Sequence, residues 1–312
     1  MKIAAVQMVS TPDVARNLDT ARRLIAQAAA EGARLVALPE YFCLLGRTDR
    51  DKIGVAERAG GGPIQNMLAQ AAREHSVWVV GGTLPLRIDG DDGHVRNACC
   101  VHAPDGALAA RYDKMHLFSF DNGGEHYDES RVLEAGNAVV ALDIVPDPAD
   151  EATAGAPPSS WRLGLSICYD LRFPELYRAL SCAPQAGRPG PSRLPGDEPP
   201  DAAGRPGGGP AAAGLCDLFT VPSAFTHTTG QAHWELLLRA RAVENQAYVI
   251  APAQGGLHEN GRRTWGHSMI VDPWGEVIAC LPTGEGVIAA DIDRARIDEV
   301  RRQLPALRHR RL

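Results

Sequence analysis

No apolar run in this sequence reaches the roughly 18 residues that a membrane-spanning helix needs, and no partner membrane is expected. Met1-Lys2-Ile3 opens directly into a strand-like pattern rather than a charged and then apolar leader, so the expected location is the cytoplasm. Positive charge is also in short supply. A formal net charge of -6 and a pI near 5.9 argue against a sequence-independent nucleic-acid surface. The seven cysteines (43, 99, 100, 168, 182, 216 and 280) include no Cys-x-x-Cys and no paired spacing, which points to thiols rather than a disulfide framework. The ten histidines form neither His-Glu-x-x-His nor a Cys/His cluster, so no metal site is expected. Gly60-Gly61-Gly62-Pro63 matches neither the dinucleotide nor the Walker spacing, and nothing in the chain asks for a cofactor.

What is present reads as a globular α/β chain of 312 residues, 45% hydrophobic and 22% charged. Lys2 to Met8 has strand character. Leu18, Ala21, Leu24, Ile25 and Ala28 then recur at helical spacing over 17–30, and 34–38 is a short apolar strand ended by Pro39. A second β-α unit follows, with a helix over 64–75 and a strand over 77–82. Pro104-Asp105-Gly106 joins strands at 96–103 and 107–112 into a hairpin, a polar loop covers 121–130, and strand character resumes over 138–145. Residues 146–160 read as a surface excursion. Residues 182–214 hold eight prolines and eight glycines with almost no large apolar side chain, which predicts a disordered insertion within one domain spanning 1–312. Beyond it come a strand at 215–221, a helix at 230–245, a strand at 247–252, a hairpin around Pro273-Trp274-Gly275, a strand at 287–292 and a helix at 293–303. Two sheets covered outside by helices, a four-layer α-β-β-α sandwich, satisfy this order; periodicity alone equally permits one doubly wound sheet.

The stretch that carries chemistry is Trp161 to Leu176. An apolar strand ends at Cys168, and Pro174 suits the first turn of a new helix, which places a thiol on a strand-to-helix turn with free backbone N–H groups behind it. Glu40 and Lys114 share that position, each lying just past the C-terminal end of an apolar strand, where layered α/β folds bind ligands. Their chemistry is complementary. A carboxylate takes the thiol's proton and returns it to a leaving amine, while an ammonium and the Tyr169 backbone N–H stabilise the oxyanion. Taken singly, each residue also has an ordinary reading: a buried small thiol, a solvated carboxylate and a surface lysine.

Leu38-Pro39-Glu40, Tyr112-Asp113-Lys114-Met115-His116-Leu117-Phe118 and Cys168-Tyr169-Asp170-Leu171-Arg172-Phe173-Pro174-Glu175-Leu176 resemble, in order and separation, the three signature regions of the nitrilase superfamily of carbon–nitrogen hydrolases. The resemblance runs from Lys2 to Arg311, interrupted by the Pro/Gly insertion. It implies the four-layer sandwich, no cofactor, a homodimer or larger homo-oligomer, a small-molecule amide substrate, and a triad of Glu40 as base, Lys114 as oxyanion stabiliser and Cys168 as thioester-forming nucleophile. It also implies a second buried glutamate. Glu129 matches that place, although Glu125 is close, Ser119 stands where the pattern has Asp, and Gly123-Gly124 stand where it has Pro-Gly. Pro222 to Thr226, Ala232 to Glu244 and Gly266 to Gly275 resemble the branch holding amidases of deaminated glutathione and omega-amidases, with Ala253-Gln254, Gly256 and His258 leaning to the former. An anionic substrate calls for cations near the mouth, for which Arg172, Arg262 and Arg263 are candidates. Arg172 also reads as one half of a structural ion pair with Asp170, and His116 and His233 read as structural. Omega-amidase, N-carbamoyl amino-acid amidohydrolase and nitrilase activities stay open, as do a Cys-His hydrolase and a non-catalytic binding protein on the same fold.

Overall fold

The computed structural model describes residues 1–145, 160–181 and 214–311. The surface excursion expected at 146–160 and the Pro/Gly insertion expected at 182–214 lie outside the described residues, apart from Ser160 and Gly214.

Two sheets form the middle of the molecule. The first is built around three parallel strands, β1 (Lys2–Gln7), β2 (Leu35–Ala37) and β3 (Trp78–Val80). It is extended by the antiparallel strands β4 (Leu84–Ile88), β5 (Asp91–His102) and β6 (Leu108–Asp113), and closed on its other edge by β15 (Gly286–Asp291). The second repeats the plan, with parallel β10 (Trp161–Leu165), β11 (Leu218–Thr220) and β12 (Tyr248–Ala251) between antiparallel β9 (Ala141–Ile144) on one side and β13 (Ser268–Val271) and β14 (Val277–Leu281) on the other. A short hairpin of β7 (Ser119–Asp121) and β8 (His126–Asp128) stands apart.

Side-chain alternation separates the layers. In β1, Ile3 and Ala5 join a cluster that also holds Leu163 and Leu165 of β10 and Ile250 of β12, whereas Ala4 and Val6 join a second cluster with α1 (Val14–Ala30) and α3 (Pro63–His75). Strand period and helix period therefore meet on one face. α1 presents Leu18, Ala21, Leu24, Ile25 and Ala28 inward, and its start is set by Asp13, whose side chain accepts the Arg16 N–H. The short α2 (Asp51–Gly54) lies between them in sequence. The second sheet is covered by α4 (Pro174–Leu180) and α5 (His227–Asn245), with Tyr177 edge-on to Phe219 and Trp234 against Phe225. α6 (Arg294–Gln303) adds Ile297 to the same cluster. This is an α-β-β-α sandwich, and the single doubly wound sheet is excluded. No helix among the described residues is long and apolar enough to cross a membrane.

Several expectations need correction. The polar loop at 121–130 instead begins within the β7–β8 hairpin, because Asn122-Gly123-Gly124 forms a tight turn in which the Asn122 side chain accepts two following N–H groups. β4 escaped notice because Pro85 and Arg87 interrupt its apolar pattern, while β5 extends back to Asp91 to pair with it. α5 starts at His227 rather than at 230, since Thr226 caps it by accepting the Thr229 N–H.

Strand β3 also stops before the expected Gly82, and the reason bears on the site. Gly82 sits at φ +50, where an added Cβ would lie 2.1 Å from the Pro39 carbonyl oxygen. Only glycine allows this approach, and the chain it touches leads directly into Glu40. We expect Gly82→Ala to lose about 1–3 kcal/mol in urea unfolding and to lower activity by more than the unfolded fraction explains; a fully active, equally stable variant would refute that link.

Candidate active site

Three turns at the same edge of the two sheets carry the reactive groups. Glu40 lies beyond β2, and the backbone reverses at Tyr41, which holds φ 57. Lys114 follows the last residue of β6, its N–H held by the Asn97 carbonyl at 2.9 Å. Cys168 follows β10, which ends at Leu165 rather than at the cysteine itself, and it opens a 3₁₀ turn (Cys168–Arg172) with φ 48. A left-handed non-glycine residue costs about 1–2 kcal/mol, and the surrounding bonds enforce it: Cys168 donates its N–H to Pro222 O at 2.9 Å, and Asp170 donates to Ile167 O at 3.0 Å. The Tyr169 N–H is the first donor of the turn outside these bonds.

The charged centre is a lysine between two carboxylates. Lys114 Nζ donates to Glu40 Oε1 at 2.8 Å and to Glu129 Oε1 and Oε2 at 3.0 and 2.8 Å. Lys114 and Glu40 are each 1% exposed. Glu40 is held at every lone pair that matters: Asn97 Nδ2 donates to Oε1 at 3.0 Å, and the Ala224 N–H donates to Oε2 at 3.0 Å. Its backbone carbonyl accepts from Gln254 Nε2 at 3.0 Å. Glu129 in turn accepts from the Tyr41 hydroxyl at 2.6 Å and the Phe118 N–H at 2.7 Å.

Proton positions follow from these neighbours. Burial alone would push the Lys114 ammonium down, but Glu129 and Glu40 hold it well above the ordinary lysine range. Burial would raise the Glu129 carboxyl, and the Lys114 charge and its hydrogen bonds hold it below the ordinary value. The ion pair thus contributes stability above the unfolded glutamate's range, lost as pH falls through the depressed value. It persists until pH rises through the raised lysine value. Cys168 is the opposite case. Burial and then the Glu40 charge push its thiol well up, against the lowering effects of Lys114 and the Ala224 N–H, which favours the neutral thiol form over the thiolate.

A narrow cleft opens onto Cys168, walled by Glu40, Glu129, Phe118, Tyr169, Arg172, Phe225 and Arg262. Arg172 makes no ion pair with Asp170. That carboxylate is taken by the Tyr112 hydroxyl at 2.7 Å, the Ile167 N–H at 2.8 Å and the His116 ring at 2.7 Å. The Arg172 guanidinium instead lies 5.5 Å from the Phe225 ring centroid and 3.3 Å from His233 Nδ1, facing the cleft. Arg262 also lines it, whereas Arg263 is exposed and does not. His116 stacks on Phe173 at 3.7 Å and pairs with Asp170, and the charges acting on Cys168 are those of Glu40, Lys114 and Glu129. Glu125, the rival to Glu129, bonds Thr228 instead. Among the described residues no group of three His, Cys, Asp or Glu side chains could hold a metal ion, and six of the cysteines are free.

The carbon–nitrogen hydrolase profile matches residues 2–183 and 212–302, the two segments that build this cleft. The chain belongs to the carbon–nitrogen hydrolase family. A deaminated glutathione amidase of Synechocystis is 38% identical over 98% of this chain and 97% of its own length. An omega-amidase NIT2 of Xenopus tropicalis is 35% identical over 99% of this chain and 95% of its own. Among solved structures, Nit3 of Saccharomyces cerevisiae, a member of branch 10 of the nitrilase superfamily, superposes with a TM-score of 0.77 at 27% identity, covering 100% of this chain and 97% of that one. By family, this chain is therefore a hydrolase of C–N bonds.

Sequence reasoning did not single out Asn97, Tyr41 or the Ala224 N–H as parts of the site. A signal existed for Asn97, a lone amide in the apolar run Ala98-Cys99-Cys100-Val101, where a buried polar group needs a partner. None existed for Ala224, which contributes backbone alone. The charge balance yields a test. Glu40→Gln removes the negative neighbour that raises the Cys168 thiol, so the pH profile of Cys168 alkylation by iodoacetamide, followed by peptide mapping, should move to lower pH. Amide hydrolysis should meanwhile fall about 10²–10⁴-fold for want of a proton carrier. A profile moved to higher pH would show that Glu40 does not govern the thiol.

Proposed function

We propose that this hydrolase cleaves a small, linear, carboxylate-bearing amide through a thioester on Cys168, and that the substrate is deaminated glutathione, released as 2-oxoglutarate and cysteinylglycine in a metabolite-repair reaction. The observation that carries the reading is the buried Lys114 bridging Glu40 and Glu129, with both carboxylates and Cys168 on the walls of one cleft. Glu40 accepts the S–H proton as sulfur adds to the amide carbon, and the carbonyl electron pair moves onto oxygen, which Lys114 Nζ and the Tyr169 N–H receive. Collapse breaks the C–N bond, and Glu40 returns the proton to the departing amine. Water then adds to the thioester carbon with Glu40 as base. The second intermediate expels the Cys168 sulfur, which recovers the proton, and the carboxylate product leaves. Glu129 has no proton to move; it holds Lys114 in place and keeps it charged.

Arg172 supports the choice of an anionic acyl half, since a guanidinium over an aromatic ring at the wall of the cleft is placed to receive a carboxylate. Similarity to proteins named for deaminated glutathione and for omega-amidase activity leaves 2-oxoglutaramate as the second reading. We read residues 1–312 as one catalytic domain, because both matched segments contribute to one cleft. A homodimer or larger homo-oligomer fits the exposed Leu236 and Val243 of α5 and the exposed Trp274 of the β13–β14 turn. A cytoplasmic setting fits the free thiols.

Purified protein should hydrolyse deaminated glutathione with a kcat/KM at least about 100-fold above that for 2-oxoglutaramate, equivalent to about 2.7 kcal/mol of transition-state discrimination, and Cys168→Ala should hydrolyse neither. Failure on both substrates, with Cys168 still alkylated, would discard the substrate and leave the amide-hydrolase family reading.

A further inference from the structure

A carboxylate offers about four lone-pair positions on its two oxygens. On Glu40, donors among the described residues fill them unevenly. Oε1 accepts from Lys114 Nζ at 2.8 Å and from Asn97 Nδ2 at 3.0 Å, whereas Oε2 accepts from the Ala224 N–H alone, at 3.0 Å. A position on Oε2 is therefore left open. That oxygen is also the one turned toward the sulfur: the Ala224 N–H that holds it bears on Cys168 as well, drawing the thiol down, and Glu40, Ala224 and Cys168 all line the cleft. Asn97 is not part of that wall. It is 2% exposed on β5, its backbone carbonyl receives the Lys114 N–H at 2.9 Å, and its side chain donates to Glu40. A carboxylate only accepts, so the amide nitrogen rather than the amide oxygen faces it.

We infer that Asn97 assigns the two oxygens of Glu40 separate tasks: together with Lys114 it closes Oε1, so that Oε2 is the atom that takes the Cys168 proton and delivers it to the leaving amine. The inference rests on the proposed thioester reaction and names the atom at which its proton is carried. In the first step the S–H bond breaks, the proton joins the open lone pair of Oε2, and sulfur bonds the amide carbon as the carbonyl pair moves onto oxygen. In the second the C–N bond breaks with its electron pair on nitrogen, and the Oε2 proton goes to that nitrogen. Removing the Asn97 donor opens a second resting place for the proton, on the oxygen turned to Lys114, and frees the carboxylate to pivot about its remaining bonds. Asn97 thus acts through Glu40 and touches no reacting atom. It is a positioning residue, and one side chain with its own backbone carbonyl holds base and ammonium in a common register.

The demand of the leaving group for a proton supplies the test. Deaminated glutathione expels an amine, which must gain a proton, while the 4-nitrophenyl ester of the same 2-oxoglutaryl half expels an aryl oxide, which need not; both pass through the same thioester on Cys168. Asn97→Leu, similar in size and without a donor, should lower the amide-over-ester ratio of kcat/KM about tenfold or more below that of the native protein, with the amide losing most. Asn97→Asp, which turns an acceptor toward Oε1, should lower it at least as far. Both rates are read in one preparation, so a partly unfolded variant scales them alike and leaves the ratio where it was. Glu40→Gln sets the reference, and the ratio should fall there too. A ratio unmoved in either Asn97 variant while it falls in Glu40→Gln overturns the inference and leaves Glu40 as the proton carrier. A ratio unmoved in Glu40→Gln, or a native protein that hydrolyses neither substrate, overturns the proposed reaction and the inference with it.

Discussion

A lysine ammonium held between two carboxylates, out of reach of bulk water, is the constraint on which the rest of this structure depends. Removing such charges from solvent costs several kcal/mol per ion, and the cluster persists only if every lone pair and proton has a partner. Here the partners come from across the fold. Asn97 reaches Glu40 from β5, the Ala224 N–H from beyond β11 and Gln254 from beyond β12, while Tyr41 and the Phe118 N–H complete Glu129. Two sheets and the turns between them converge on five charged atoms, four carboxylate oxygens and one ammonium nitrogen. The four-layer architecture is the frame that lets them converge.

The sulfur depends on the same cluster without belonging to it. Its thiol stays protonated because it is buried beside Glu40, so the reactive step requires a proton transfer rather than a standing thiolate. Holding the thiol in register with Lys114 falls to Asp170. One carboxylate ties the Ile167 N–H at the head of the cysteine turn to the Tyr112 hydroxyl on β6 and to the His116 ring and N–H just past Lys114. The lysine and cysteine turns, on different sheets, are thus clamped to each other by a group that never meets the substrate. The left-handed backbone at Cys168 is affordable because this bracket and the bond to Pro222 O fix it from both sides.

Much of this was legible in the chain. Glu40, Lys114 and Cys168 stand out because each follows an apolar strand, and a residue just past a strand end points to the edge where layered sheets bind ligands. α1 and α5 were legible from apolar residues at helical spacing. β4 and the β7–β8 hairpin were not, since their residues alternate poorly and their pairing is decided by partners distant in sequence. Arg172 illustrates the limit most plainly. Sequence proximity suggests a pair with Asp170, yet in space Asp170 is saturated by Tyr112, Ile167 and His116, and the guanidinium turns to the cleft.

The sequence by itself determined the family and with it the reaction class, because three motifs stand in the family's order and separation, whereas residue types at strand ends alone were only suggestive. It also determined the layered α/β class, because side-chain periodicity reports which faces are buried. Tertiary structure alone decided which way burial and neighbouring charges push Lys114, Glu129 and Cys168, the identity of Glu40's amide and backbone donors, and the turning of Arg172 to the cleft. Those properties arise from distance and burial among residues far apart in the chain, which no local pattern encodes.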